Sequence, residues 1–129
     1  MTLSIRRVVT GHDAQGRARV AIDEVCRNVI SRRPNHASCV VWSTGAFPAD
    51  NGDERDGAAR EVATTDQNGT VFRIVEYAPG VAPRNHRTES IDYGVVIEGE
   101  MTLVLDEEEV LLNVLQSREE FLHFGQRVP

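Results

Sequence analysis

The 129-residue sequence has no long apolar run, few aromatic residues and no lysine. A membrane-spanning helix needs about 18 or more consecutive apolar residues, and no window approaches that length. We therefore expect no membrane partner. The first twenty residues carry several arginines and no apolar segment, so the sequence predicts no secretory signal and a cytoplasmic location.

The charge balance is acidic, with 14 basic residues, all arginine, against 20 acidic residues and a net charge of −6. This charge opposes the counterion release on which nucleic-acid binding depends, so nucleic acid is excluded as a partner. The two cysteines, Cys26 and Cys39, are too few for a disulfide scaffold. For a cytoplasmic protein we predict free, partly buried thiols.

Short alternating or β-branched segments recur along the chain, and turn signals separate them. This pattern predicts a single all-β domain over residues 1–129. The predicted strands are Ser4–Val9, Arg17–Ile22, Ser38–Thr44, Thr70–Tyr77, Tyr93–Glu98 and Met101–Asp106. The turn signals are Gly11-His12-Asp13, Asn51-Gly52, Asn68-Gly69, Pro79-Gly80 and Glu98-Gly99.

Two short segments break this rhythm, and a polar stretch and the tail form two further exceptions. Asp23–Ile30 and Asp56–Ala63 have the composition of short helical turns. The polar stretch Pro48–Gly69 is long for a loop and predicts a mobile flap. In Val110–Phe124 the apolar residues recur at helical spacing, which predicts a short amphipathic helix that packs in the core or against a second subunit.

The segment Arg73–Asp106 carries the most informative spacing. A strand leads into Gly80, His86 follows after five residues, Asp92 comes six residues later, and Gly99 comes seven after that. This spacing resembles the first conserved motif of the cupin family, which has a glycine, two histidines separated by one residue, an acid and a second glycine. Thr88 stands in the place of the second histidine. The resemblance implies a cupin-type double-stranded β-helix, the jelly-roll barrel.

The resemblance also implies a metal site. His86 would be the principal ligand, Asp92 the carboxylate ligand, and Thr88 or a water would complete the sphere. Imidazole nitrogen and carboxylate oxygen suit a divalent ion and leave positions open for substrate or dioxygen. Iron is the first choice, with manganese, nickel and zinc as alternatives.

The second cupin motif, which supplies a further histidine in the family, does not occur after Gly99. The resemblance covers residues 4–113, and the tail 114–129 diverges, as a short helix or an extended segment. His123 in this tail is the one histidine available as a replacement ligand. A barrel that is incomplete at its C-terminal end would expose a sheet edge, so we expect the tail to cover it or to form a homodimer interface.

Within the cupins, the sequence is similar to short single-domain oxidoreductase-like proteins of polyketide and aromatic secondary metabolism. This resemblance implies a hydrophobic small-molecule substrate. Four aromatic residues are candidates for its pocket or for the core: Trp42, Phe47, Phe72 and Tyr77.

Three functions remain open from the sequence. The leading hypothesis is a metal-dependent cupin oxidoreductase or dioxygenase-like enzyme. The second is a metal-independent dehydratase, cyclase or isomerase in which His86 and Tyr93 act as acid and base. The third is a binding or scaffold protein without catalytic activity.

Overall fold

The computed structural model of the protein describes residues 3–114 and 122–125, the last four by their backbone alone. Over these residues the chain forms nine β-strands and no helix, which confirms the all-β prediction. The strands are β1 (Arg6–His12), β2 (Ala18–Val25), β3 (Ile30–Arg33), β4 (His36–Thr44), β5 (Thr70–Tyr77), β6 (Ile91–Gly94), β7 (Glu100–Val104), β8 (Glu109–Asn113) and β9 (Leu122–Gly125).

The chain divides into two compact units, Met1–Ala82 and Pro83–Pro129. The single domain over residues 1–129 stays a prediction. Nowhere in the described part of the chain is there a helix long and apolar enough to cross a membrane.

The first unit contains two antiparallel sheets. Strands β1 and β2 form a hairpin, and its turn is fixed by Asp13, whose carboxylate accepts hydrogen bonds from the backbone N–H groups of Gln15 and Arg17 at 2.9 Å. Strands β3, β4 and β5 form the second sheet in that order. Its centre is β4, in which Ala37, Ser38 and Cys39 are buried. The core of this unit therefore lies against β4.

The long loop between β4 and β5 is fastened to this sheet. The buried guanidinium of Arg7 donates to both oxygens of Asp56 at 2.7 and 2.5 Å, and the Ser43 hydroxyl donates to the carbonyl of Gly57 at 2.5 Å. Arg73 donates to the carbonyls of Ala63 and Thr64. The structure therefore fastens the predicted flap at several points between Asp56 and Thr64.

Both predicted internal helices are wrong. Asp23–Val25 continues β2, and the N–H of Cys26 extends the ladder by donating to the carbonyl of Ile5 at 2.7 Å. In Asp56–Ala63 the Asp56 carboxylate accepts from the N–H of Ala58 at 2.9 Å, which forms a local turn in place of a helix cap.

The second unit consists of two strand pairs, β6 with β9 and β7 with β8. Strands β7 and β8 form a hairpin whose tip carries the exposed acidic residues Asp106, Glu107 and Glu108. The predicted helix over Val110–Phe124 is wrong where the chain is described. Its first residues belong to strand β8 and its last residues to strand β9. Residues 115–121 lie outside the described part.

Candidate functional site

The residues predicted to carry chemistry lie in the second unit, between the end of β5 and the end of β6. Two residues of the segment 83–90 contact Asp106 at the β7–β8 turn. Asn85 donates to Asp106 Oδ1 at 3.4 Å, and the Arg87 guanidinium lies 3.8 Å from Asp106 Oδ2. Both partners of this ion pair are exposed, and such pairs contribute at most about 1 kcal/mol. These two contacts are therefore weak and do not fix the segment at the turn.

His86 lies between these two residues, and its ring is oriented by the backbone. Its Nδ1 lies 2.9 Å from the carbonyl oxygen of Arg84. A carbonyl oxygen only accepts hydrogen bonds, so Nδ1 carries the hydrogen. In the neutral ring the lone pair is then on Nε2, which is free to act as a metal ligand or as a base.

A serine that the sequence did not single out as a site residue connects two of the predicted ligands. The Ser90 hydroxyl donates to Asp92 Oδ1 at 2.9 Å and lies 3.0 Å from Thr88 Oγ1. The structure thus brings Thr88 and Asp92 together through Ser90. No pattern in the sequence marks Ser90, because its role depends on how the segment before β6 bends.

The structure does not bring His86 into this hydrogen-bonded group. Its ring bonds to Arg84, and both His86 and Asp92 are exposed, while Thr88 is half-buried. Among the residues that the structure describes, no group of three or more His, Cys, Asp or Glu residues is placed to hold a metal ion. The donor types fit a divalent ion, but the described residues supply one imidazole and one carboxylate.

Tyr93 follows Asp92 on β6, and its side chain is 80% exposed. Successive side chains of a strand point to opposite faces, so Asp92 and Tyr93 lie on different sides of β6. In the β6–β9 pairing the Cα of Tyr93 is opposite that of His123. The strand geometry therefore favours separate roles for Asp92 and Tyr93.

The two glycines of the predicted motif have positive φ angles, a backbone conformation that favours glycine over other residues. Gly80 has φ +79° and Gly99 has φ +74°, values that L-residues with a side chain rarely adopt. Gly80 lies just after β5 and Gly99 just before β7. Both turn predictions are confirmed at these positions.

The four aromatic candidates do not form a common core. Trp42 is half-buried on β4, whereas Phe47 is 90% and Phe72 60% exposed. Tyr77 is 44% exposed and meets the ring of His36 edge-on, with centroids 5.4 Å apart. Core positions for Phe47 and Phe72 are therefore wrong in the described structure.

Comparison with known proteins gives matches in fungi. The chain is 37% identical over 106 residues to a cupin-domain-containing oxidoreductase of Hypocrea virens, covering 78% of this chain and 54% of that protein. It is 36% identical over 104 residues to a cupin-domain-containing oxidoreductase of Aspergillus ruber, covering 78% and 51%. A third relative, oryzines biosynthesis cluster protein J of Aspergillus oryzae, is 36% identical over 73 residues, covering 52% and 41%.

The chain thus spans about half the length of the curated relatives that it matches over most of its own length. No protein-family model matches the chain.

Proposed function

Since the chain belongs to the cupin superfamily, we propose that it acts as a cupin oxidoreductase on an aromatic or polyketide-type small molecule in fungal secondary metabolism. Its relatives imply the jelly-roll fold, and the all-β strands agree with it. The observation that carries the proposal is the 37% identity over 78% of the chain to a protein named an oxidoreductase. The biosynthesis-cluster relative supports the metabolic setting.

In this proposal His86 and Asp92 hold a divalent metal ion, with iron as the first choice. Nε2 of His86 is the nitrogen ligand, since Nδ1 is engaged by Arg84. Asp92 is the oxygen ligand, and Thr88 or a water completes the sphere. A bound iron ion would supply Lewis-acid and redox chemistry toward substrate or dioxygen.

The other residues of the segment act by orientation. The carbonyl of Arg84 fixes the ring of His86, and the hydroxyl of Ser90 fixes one oxygen of Asp92. Hydrogen bonds of this kind set the tautomer and direction of metal ligands. Asp106 at the β7–β8 turn adds only weak, exposed contacts to Asn85 and Arg87, the neighbours of His86.

A second candidate is a metal-independent cupin dehydratase, cyclase or isomerase. The specific observation that favours it is the small donor set, because the described residues contain no group of three metal-binding side chains. Here Nε2 of His86 accepts a proton from the substrate as a general base. Tyr93 would act as the acid only if the substrate contacted the face of β6 that carries its side chain.

Metal retention separates these candidates. The purified chain is loaded with Fe(II) under anaerobic conditions, desalted, and analysed for iron, with His86→Ala as the test variant and His12→Ala on β1 as the matched control. The oxidoreductase proposal predicts about one iron per chain in the wild type and in His12→Ala, and loss in His86→Ala. Oxygen consumption by the loaded chain is then measured with a panel of aromatic and polyketide-type compounds.

Turnover of such a compound without dioxygen and without retained metal would overturn the oxidoreductase proposal in favour of the second candidate. Equal iron retention by the wild type and His86→Ala would overturn the assignment of His86 as a ligand. Binding of the compounds without turnover, unchanged in His86→Ala, would indicate a scaffold or binding protein.

A further inference from the structure

Residues 56–66 of the long β4–β5 loop lie against the last part of β4 and form no strand of their own. We call these residues the strap. The strap begins with an ion pair, because the Asp56 carboxylate accepts from the buried Arg7 guanidinium at 2.7 and 2.5 Å. At the next residue, the carbonyl of Gly57 accepts from the Ser43 hydroxyl at 2.5 Å. The strap is therefore attached to its neighbours by polar groups at separate points.

The backbone of Gly57 lies directly against the indole ring of Trp42. A Cβ atom at position 57 would lie 2.6 Å from Trp42 Cε2 and 2.5 Å from the carbonyl oxygen of Ser43. Both distances are too short for a real side chain, and the Ser43 carbonyl cannot move aside without disturbing β4. The strap can therefore cover Trp42 only because residue 57 is a glycine.

The strap has little apolar surface with which to hold itself in place. Gly57 is its one buried residue, and its apolar side chains are three alanines and one valine. Beneath it, β4 and β5 are paired by a ladder that runs from His36 opposite Tyr77 to Thr44 opposite Thr70. Segments with few buried apolar contacts open at a lower free energy than the strands around them. The strap is thus the part of this region that separates most easily.

We propose that the strap opens and closes over Trp42 while the β3–β4–β5 sheet stays folded, with the Arg7–Asp56 ion pair as its latch. In the closed state Gly57 covers one face of the indole, and Asp56 occupies the Arg7 guanidinium. Opening uncovers an aromatic ring and a cation that the closed state hides. Glu24 lies opposite Arg7 in the β1–β2 ladder and bonds to it at 2.6 Å, so it keeps the guanidinium in place in both states.

Hydrogen exchange of the wild-type chain in urea below the unfolding transition tests whether the strap moves independently. The probes are the N–H groups of Ala58 and Ala59, which both bond to Asp56 in the closed strap. They should exchange about 10-fold or more faster than the slowest amides of β4 and β5. Their rates should also be insensitive to urea, because local opening exposes little surface.

Trp42 is the only tryptophan of the chain, so its fluorescence reports on the strap directly. Gly57→Ala keeps the strap from closing, and acrylamide quenching of Trp42 should rise about twofold because both faces of the ring become accessible. Gly52→Ala is the matched control in the same loop, since a Cβ there would meet only the exposed Asp50 side chain, at 3.3 Å. It should quench like the wild type.

Four results would overturn the proposal. In the wild type, these are exchange of the strap amides with the same rate and urea dependence as the β4–β5 ladder, and exchange as fast as in an unfolded peptide. In a folded Gly57→Ala variant, they are unchanged quenching of Trp42 and complete loss of β4–β5 protection. The wild-type exchange measurement needs no variant, so it decides the proposal even if Gly57→Ala does not fold.

Discussion

Nδ1 of His86 lies 2.9 Å from the carbonyl oxygen of Arg84, two residues earlier in the chain. This contact requires a hydrogen on Nδ1, so the neutral ring should populate the tautomer with Nε2 unprotonated. A long-range ¹H–¹⁵N spectrum of the protein with ¹⁵N-labelled histidine measures this directly. We expect the Nδ1–H tautomer to dominate for His86, and dominance of the Nε2–H tautomer would contradict the contact.

The hydrogen bond from Ser90 to Asp92 should matter for metal affinity more than for folding. Removing a hydrogen bond that orients a metal ligand typically lowers metal affinity by about 10- to 100-fold. We expect Ser90→Ala to show this loss in a Co(II) titration while its melting temperature stays close to that of the wild type. Ser31→Ala, at an exposed serine of β3, is the matched control. Equal affinity in both variants would contradict an orienting role for Ser90.

The buried Arg7 forms ion pairs with two carboxylates of the first unit. Its side chain is 5% exposed and donates to Glu24 at 2.6 Å and to Asp56 at 2.5 Å. Arg7→Met would leave two carboxylates without their cation, and we expect it to lower the free energy of unfolding by about 3 kcal/mol. Urea denaturation at neutral pH measures this change.

The control is Arg17→Met. Arg17 pairs with Asp13 but is 75% exposed, so solvent screens the pair and we expect a much smaller effect than at Arg7. An equal effect of the two substitutions would show that the burial of Arg7 has no energetic consequence.

The ion pair between Arg7 and Asp56 predicts that acid lowers the stability of the fold. The Arg7 guanidinium, and to a lesser extent the N–H of Ala58, hold the pKa of Asp56 below its usual value of 3.8. A carboxylate whose pKa is lower in the folded state stabilises the fold above its unfolded pKa, and this contribution is lost as the pH falls through the folded pKa. The wild type should therefore lose stability below about pH 4.

Asp56→Asn cannot undergo this titration. Its deficit in the free energy of unfolding, relative to the wild type, should be largest at neutral pH and should shrink as the pH falls below about 4. Urea midpoints at several pH values measure it, with Glu107→Gln at the exposed β7–β8 turn as the control. A deficit that stays constant down to pH 2.5 would rule out this linkage.

Strand positions were predictable from the sequence where a continuous β-branched segment pairs along its whole length. The predicted strand Thr70–Tyr77 coincides with β5, and Ser38–Thr44 lies within β4. Tyr93–Glu98 was placed too late, because the pairing of β6 with β9 covers only Ile91–Gly94. The local pattern of alternation does not show which residues will have a partner strand.

Contacts between distant residues were not predictable. Asp56 pairs with Arg7, which lies 49 positions away in the sequence, and the composition of Asp56–Ala63 gives no sign of that distant partner. The motif spacing found the glycine turns and pointed to His86 and Asp92. It did not reveal Ser90 or the carbonyl of Arg84, since their roles arise from the backbone path around the motif.

The most direct test of a metal bound through Nε2 of His86 is the proton NMR spectrum of the Co(II)-loaded chain in water. A histidine that binds cobalt through Nε2 keeps its Nδ1 hydrogen, and the unpaired electrons shift that exchangeable resonance far outside the diamagnetic range. We predict one such resonance in the wild type and in His12→Ala, and none in His86→Ala. The same shifted resonance in His86→Ala, or its absence from a wild-type chain that has bound cobalt, would contradict the proposed site.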